Sequence, residues 1–241
     1  SVPDSTPYRP DCVIYAGGNI VSKKLRQFLR DSTDTTFIRV SFGEYEDTFM
    51  RLDYLVEAVP LDFMMRIEKA CRKGYYYDRE EDRDLRMADT RDFVELWNKA
   101  LQQADDKADA LVPESLHQQA VKVLEETLSE KIPNAFVHYA NSSAIRTGNQ
   151  YAHHHVFCNR GVNGIEGSLS TAIGYATCTT PFNIVFCVIG DLSFFYDSNA
   201  LWNTSLPSNL RILLLNNGGG GIFQKFQGLQ HSDARDAVMG V

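Results

Sequence analysis

The sequence has no paired cysteines, no excess of basic residues and no long apolar run. Its five cysteines are scattered without a Cys-x-x-Cys pair, which is typical of buried, reduced thiols in a cytoplasmic protein. Acidic residues outnumber basic ones by 31 to 24, the net charge is −7, and no basic cluster suits a nucleic-acid partner. No apolar run approaches the roughly 20 residues that span a bilayer, and the polar segment 1–11 lacks the core of a signal peptide. We therefore expect a cytoplasmic protein without membrane insertion.

The length and composition are those of an ordinary globular protein with room for two domains. The chain has 241 residues, of which 44% are hydrophobic and 23% charged. Strand-like and helix-like segments alternate in both halves, which predicts an α/β fold of two doubly wound parallel-sheet domains, 1–110 and 111–241. Because the sequence begins at Ser without Met and stops in mid-pattern at Val241, we expect a fragment of a longer protein.

The periodicity of apolar residues places the individual elements. In the first half we predict strands at 12–17, 37–40 and 54–59, and a helix that Ser22 caps and that runs to about Arg30. The charge run at 79–91 is expected to be a solvated face or a loop, and an amphipathic helix at 92–108 could bridge two domains. In the second half we predict a helix opening at Pro113-Glu114-Ser115, strands at 136–140, 156–158, 184–189 and 210–215, and a helix rich in small residues at 164–177.

The most informative segment is a strand, an acidic turn, a helix, a second strand and an Asn-Gly turn. The first turn is Gly190-Asp191-Leu192-Ser193, and the second turn is Asn216-Asn217-Gly218-Gly219. Asp191 and Asn217 are 26 positions apart. This pattern returns two parallel strands to the same edge of the sheet, where open α/β sheets bind ligands. A carboxylate, a carboxamide oxygen and a glycine-loop carbonyl that meet there suit Mg²⁺.

These residues resemble the thiamin-diphosphate motif of the large decarboxylase and carboligase family. Leu192 stands where that motif commonly has glycine, which favours a narrower subgroup. Together with 159–167 (NRGVNGIEG) and 217–223 (NGGGGIF), the segment looks like the 2-succinyl-5-enolpyruvyl-6-hydroxy-3-cyclohexene-1-carboxylate synthase family of menaquinone biosynthesis. The resemblance runs from about residue 12 to the end and is strongest over 134–226. Relative to that family, the chain would lack the N-terminal pyrimidine-binding domain and have a shortened diphosphate-binding domain.

The resemblance implies a thiamin diphosphate and Mg²⁺ (or Mn²⁺) site. It assigns the metal to Asp191, the side-chain oxygen of Asn217 and the carbonyl of Gly219. It assigns the cofactor to Ile165, Gly190, Leu192, Ser193, Gly220, Ile222 and Phe223: the amides of Leu192 and Ser193 would face phosphate at a helix start, and the three apolar residues would pack the cofactor rings.

The resemblance also implies the substrates 2-oxoglutarate and isochorismate, two dianions that call for arginines. Arg160 and Arg146 match carboxylate-binding arginines, Ser142 matches a substrate-binding serine, and Lys23 and Lys24 match a basic pair that faces the active site. The implied transferase reaction decarboxylates 2-oxoglutarate and adds the succinyl unit to isochorismate in conjugate fashion. In this family a glutamate of a partner subunit activates the cofactor, so we expect a homodimer or homotetramer and an inactive fragment.

Two other motifs are discounted, and two other functions stay open. Residues 153–155 are consecutive histidines, and side chains that alternate in direction along a strand cannot converge on one ion. Gly17-Gly18 lacks the third glycine and the acidic residue of a dinucleotide-binding motif. The chain could instead belong to another thiamin-diphosphate enzyme, such as a relative of acetohydroxyacid synthase, or be a non-catalytic module that binds a diphosphate.

Overall fold

We analysed a computed structural model, which describes residues 6–18, 20–72, 80–161, 163–221 and 237, with the side chains of 80–88 excluded. The chain forms two compact units, 1–107 and 108–241. Each contains one wholly parallel sheet, of three and four strands respectively, so the predicted α/β fold class is confirmed.

The first unit has its strands in sequence order. Strands β1 (Cys12–Tyr15), β2 (Thr36–Ser41) and β3 (Tyr54–Glu57) lie side by side, and the helices are α1 (Lys23–Arg30), α2 (Pro60–Arg72) and α3 (Glu80–Asp109). The Ser22 hydroxyl accepts a hydrogen bond from the Leu25 amide at 3.1 Å, which caps α1 as the sequence predicts.

A small aromatic core holds this unit together. Phe37 of β2 and Phe49 are almost fully buried, with ring centroids 5.2 Å apart. On α3, the Trp97 ring lies 5.8 Å from Tyr8, and its Nε1 donates to the Tyr8 carbonyl at 3.2 Å. The long helix is thereby fixed to the start of the chain.

The second unit interleaves helices with strands. Its helices are α4 (Leu116–Lys131), α5 (Ser143–Tyr151), α6 (Ser168–Cys178) and α7 (Asp191–Tyr196), and its strands are β4 (Phe136–Tyr139), β5 (Val156–Phe157), β6 (Val185–Gly190) and β7 (Leu210–Leu215). The strand order is β5-β4-β6-β7. In central β6, Val185, Cys187, Val188 and Ile189 are fully buried, as expected for a parallel strand that is covered on both faces.

The structure corrects several predictions. The loop that is one of the two expectations for the charge run at 79–91 is not observed, because the chain is helical from Glu80 onward, in the single helix α3 that also contains the predicted helix at 92–108. Helix α6 begins at Ser168 rather than at 164, because Gly167 adopts a left-handed conformation with φ 76° that ends the preceding loop. The prediction of buried thiols is wrong for Cys12, Cys71 and Cys178, which are exposed.

Among the described residues, no helix is long and apolar enough to cross a membrane.

Candidate functional site

All four strands of the second unit are parallel, so their carboxyl ends lie at the same edge of the sheet. The sequence places polar residues just beyond each end. Asn141 follows β4, Arg160 follows β5, Asp191 follows β6, and Asn217 follows β7. This edge is where ligands bind in open α/β sheets.

The Asp191 carboxylate organises the two turns that follow β6 and β7. Its side chain is 4% exposed. Oδ1 accepts the Leu192 amide at 2.8 Å, and Oδ2 accepts the amides of Asn217 at 3.0 Å and Gly219 at 3.1 Å. Three backbone N–H groups thus converge on this carboxylate, and two of them fix the turn after β7 relative to the turn after β6.

Two further oxygen atoms, the Asn217 Oδ1 and the Gly219 carbonyl oxygen, lie next to this carboxylate. In one orientation of the Asn217 carboxamide, its Oδ1 lies 2.8 Å from Asp191 Oδ2 and very close to the Gly219 carbonyl oxygen. In the other orientation, Nδ2 takes that position and donates to both oxygens. The protein alone favours the second orientation, since acceptors repel one another. A cation bound among these oxygens would favour the orientation in which Asn217 Oδ1 faces Asp191.

The donor set fits a hard divalent cation. Mg²⁺ binds oxygen at about 2.0–2.1 Å in an octahedron, which puts neighbouring oxygens about 3 Å apart, close to the 2.8 Å between Asp191 and Asn217. Among the described residues there is no group of three His, Cys, Asp or Glu side chains that could hold a metal. The oxygens at Asp191, Asn217 and Gly219 form a different kind of donor set, which consists of one carboxylate, one side-chain amide and one backbone carbonyl.

Glycines make this turn possible. Gly218 has φ 73°, a left-handed backbone conformation that residues with a side chain rarely adopt. A Cβ on Gly221 would stand 2.8 Å from Asn217 Nδ2, closer than atoms pack. The Gly221 amide donates to the Gly219 carbonyl at 3.0 Å. Gly220 lies between them and is partly buried.

The predicted cofactor residues at α7 are tied to the loop that precedes α6. Ser193 is 4% exposed, and its hydroxyl donates a short hydrogen bond to the Ile165 carbonyl. The Leu192 amide, predicted to face phosphate, donates instead to Asp191 Oδ1. Gly190 is the residue before α7 and has no side chain to cap it. Ile222 and Phe223 lie outside the described residues.

Arg160 is held by a residue to which the sequence analysis gave no role. Its Nη1 donates a short hydrogen bond to Asn141 Oδ1, while Asn141 Nδ2 donates to the Gly164 carbonyl at 2.9 Å. Asn141 is 5% exposed, and its two hydrogen bonds connect the turn after β4 to the turn after β5. Its position two residues after a buried strand was the signal that could have identified it.

Ser142 and Arg146 lie at the start of α5. Ser142 precedes the helix with φ 73° and ψ −126°, an uncommon conformation for a residue other than glycine, and its side chain makes no capping hydrogen bond. Arg146 is one helical turn further along and exposed. The structure thus places both residues at the same end of the sheet as Arg160 and Asp191. Lys23 and Lys24 are exposed at the start of α1 in the first unit.

A second polar cluster contains one of the discounted histidines. Glu125 of α4 is 5% exposed, accepts a short hydrogen bond from the Tyr139 hydroxyl, and lies 2.7 Å from His154 Nε2. Burial, reinforced by Glu125, raises the pKa of Tyr139 well above its usual range. The cluster ties α4 to β4 and to the loop before β5, so His154 has a structural contact that the sequence did not reveal.

Cys158 is not an activated nucleophile. The thiol is half-buried between β5 and Arg160, and burial raises its pKa to about 11 although the Arg160 charge opposes the shift. A thiol with such a pKa stays protonated at neutral pH.

Comparison with known proteins shows extensive sequence similarity. The chain is 39% identical over 228 residues to 2-succinyl-5-enolpyruvyl-6-hydroxy-3-cyclohexene-1-carboxylate synthase of Bacteroides fragilis. It is 38% and 36% identical over 227 residues to proteins of the same name from Bacteroides thetaiotaomicron and Phocaeicola vulgatus. Each match covers 92% of this chain. The chain spans only 36–37% of the length of these relatives. No protein-family model matches the chain.

Proposed function

Since this chain is homologous to a segment of the 2-succinyl-5-enolpyruvyl-6-hydroxy-3-cyclohexene-1-carboxylate synthases, we propose that it forms the metal- and diphosphate-binding part of such a transferase. The complete enzyme would decarboxylate 2-oxoglutarate and add the succinyl unit to isochorismate, in menaquinone biosynthesis. The observation that carries the proposal is the meeting of Asp191, Asn217 and Gly219 oxygens where two neighbouring parallel strands end.

Asp191, Asn217 Oδ1 and the Gly219 carbonyl would hold Mg²⁺ or Mn²⁺. The metal would take its remaining ligands from water and from the diphosphate of thiamin diphosphate. Bound thiamin diphosphate would supply the acceptor for the electron pair that decarboxylation releases. Gly190, Leu192, Ser193, Gly220 and Ile165 would line the cofactor, together with Ile222 and Phe223.

The arginines would bind the carboxylates of the substrates. Asn141 occupies one nitrogen of Arg160 and so limits the directions in which the guanidinium can point. A fixed, planar guanidinium favours bidentate binding of a carboxylate. Ser142 and Arg146, at the start of α5, would contact the second substrate. Isochorismate and 2-oxoglutarate are both dianions, so two arginines match their charge.

The complete enzyme would be a homodimer or larger assembly, because the glutamate that activates the cofactor in this family comes from a partner subunit. A non-catalytic diphosphate-binding module remains the second candidate. Such a module would have the same metal site, so it would bind the same cations but would not bind the substrates.

Binding of Mn²⁺ provides the test, because Mn²⁺ can replace Mg²⁺ and is visible by electron paramagnetic resonance. We expect the chain to bind Mn²⁺, and thiamin diphosphate to tighten that binding. The variant Asp191→Asn should lose it, whereas Asp105→Asn, at an exposed position of α3, should bind as the parent chain does. Mn²⁺ binding that survives Asp191→Asn would refute the metal site.

A further inference from the structure

The second unit contains a cavity that shares no lining residue with the proposed metal site. Its volume is about 150 Å³. Aromatic rings line it from three elements, namely Phe136 of β4, Phe157 of β5 and Tyr175 of α6. His138, Cys158 and Thr171 also line it, which makes the wall mostly apolar with a few polar atoms.

The aromatic rings that line the cavity pack against one another in tilted arrangements. The Phe136 and Tyr175 centroids are 5.2 Å apart at 66°, and those of Phe157 and Tyr175 are 4.9 Å apart at 39°. Aromatic groups favour such tilted and edge-to-face arrangements. An apolar cavity of about 150 Å³ accommodates a molecule of the size of benzene. The space therefore suits one six-membered ring.

His138 supplies a polar atom without a partner. Its side chain is 4% exposed, and its Nε2 is buried with no hydrogen-bond partner among the described residues. Burial lowers the pKa of His138 to about 4, so the imidazole is neutral at pH 7. A buried polar atom without a hydrogen-bond partner raises the free energy of the folded chain. A ligand that forms this hydrogen bond removes that penalty, which increases its affinity.

We propose that this cavity binds a neutral phenol, that is, a single aromatic ring bearing one hydroxyl group that hydrogen-bonds to His138 Nε2. A hydroxyl group both donates and accepts, so it pairs with Nε2 in either tautomer of the neutral imidazole. An aromatic hydrocarbon would leave the nitrogen without a partner. An aromatic carboxylate would have to give up its hydration in an apolar space, which is costly. The inference does not depend on the proposed function.

The test compares phenol, toluene and benzoate as ligands of the chain labelled with ¹⁵N-histidine. Proton–nitrogen correlation spectra resolve the ring nitrogens of the six histidines, and the spectrum of His138→Leu assigns those of His138. We expect phenol to shift Nε2 and to bind about five- to tenfold more tightly than toluene, the effect of one neutral hydrogen bond. Benzoate should bind more weakly than phenol.

Variants separate the hydrogen bond from the shape of the cavity. His138→Leu should bind phenol and toluene equally, while His117→Leu, on α4 and away from the cavity, should keep the preference for phenol. Equal affinity of the parent chain for phenol and toluene would overturn the proposal, as would tighter binding of benzoate. If His138→Leu fails to fold, the Nε2 shift of the parent chain decides: a shift with phenol but not with toluene supports the hydrogen bond, and its absence refutes it.

Discussion

Asp191 Oδ2 accepts a hydrogen bond from the Asn217 amide at 3.0 Å across a separation of 26 residues. The contact joins the turns after β6 and β7, two neighbouring strands of one sheet. It fixes the backbone of Asn217 and Gly219 relative to the carboxylate. At the proposed metal site, binding would therefore require rotation of the Asn217 carboxamide but no movement of the backbone around it.

Asn217 and its neighbour Asn216 provide a matched pair for testing the metal site. Asn217→Ala removes an oxygen next to Asp191, and we expect Mn²⁺ affinity to fall at least tenfold, as for the loss of roughly 1.4 kcal/mol or more. Asn216 is exposed, and its Oδ1 accepts a hydrogen bond from the Gly218 amide at 2.9 Å. Asn216→Ala should therefore leave the affinity within about threefold. Titration calorimetry with Mn²⁺ distinguishes the two, and equal losses would contradict the assignment of Asn217.

Arg160→Lys tests whether the guanidinium binds substrate. Lysine keeps the charge but cannot bind a carboxylate in bidentate fashion. In the complete synthase we expect kcat/KM for 2-oxoglutarate to fall about 10- to 150-fold, corresponding to a charged hydrogen bond of about 1.5–3 kcal/mol. The affinity for thiamin diphosphate should stay unchanged. A variant that melts early yet turns over normally would show that Arg160 has only a structural role.

Ser142 adopts φ 73°, where glycine is favoured, so its backbone conformation is strained. We expect Ser142→Gly to raise the free energy of unfolding by about 0.5–2 kcal/mol, because the relief of strain exceeds the entropy that glycine adds to the unfolded chain. Urea denaturation measures the change. Ser143→Gly, at the first residue of α5, should instead destabilise by up to about 1 kcal/mol.

A lower stability of Ser142→Gly would show that the strain is absent in solution. Since the hydroxyl group is also lost, the complete synthase carrying Ser142→Gly should be more stable but less active, a trade-off typical of functional sites.

The buried hydrogen bond between Tyr139 and Glu125 should stabilise the second unit. Tyr139→Phe leaves the Glu125 oxygen without this donor in a site that is 5% exposed, and we expect a loss of about 1–3 kcal/mol in the free energy of unfolding. Tyr196→Phe, on a residue that is 70% exposed, should change stability by less than about 0.5 kcal/mol. Chemical denaturation of both variants provides the measurement.

The double variant Tyr139→Phe/Glu125→Met, together with the two single variants, shows whether the two residues act together, because methionine removes the oxygen that accepts from Tyr139. If the hydrogen bond carries the effect, the two single losses should add to more than the loss of the double variant. Strict additivity would attribute the losses to separate causes.

The buried His138 makes stability depend on pH. Its pKa is about 4 in the folded chain and 6.5 in the unfolded chain, so between these values only the unfolded chain takes up the proton. The free energy of unfolding should therefore fall as the pH decreases from 6.5 to 4, by up to about 3 kcal/mol in total. His138→Leu should remove this contribution. The difference in the free energy of unfolding between the parent chain and His138→Leu should therefore shrink or reverse toward pH 4. A parallel pH dependence of both would contradict the depressed pKa of His138.

Much of the fold follows from local sequence pattern. The continuous apolar runs at 184–189 and 210–215 predicted the paired strands β6 and β7, and Ser22 and Ser115 marked helix starts at which both hydroxyls cap. Helix α2 was missed, and none of its residues is buried. Its apolar residues Leu61, Met64 and Met65 nevertheless follow the i, i+3, i+4 spacing of a helix, so this helix could have been predicted from the sequence.

The strand-end placement of Asp191 and Asn217 could be predicted, because parallel topology alone determines which ends meet. The contacts of Asn141 with Arg160 and of Glu125 with His154 could not, because they join loops and helices whose distances depend on packing across 19 and 29 positions. Periodicity describes which face of an element is buried and carries no information about which polar groups meet across it. Such pairs become visible only in three dimensions.

The position of β6 has a consequence for synthesis on the ribosome. This apolar strand lies between β4, which precedes it in the chain, and β7, which begins 20 residues after β6 ends. At about 5–20 residues per second, β7 emerges roughly 1–4 s after β6. During that interval one edge of a strand rich in Val, Ile and Cys is without its partner, and unpaired apolar edges recruit other chains. The nascent chain is therefore most vulnerable to aggregation just before residues 210–215 appear, which is the interval in which a chaperone would protect it best.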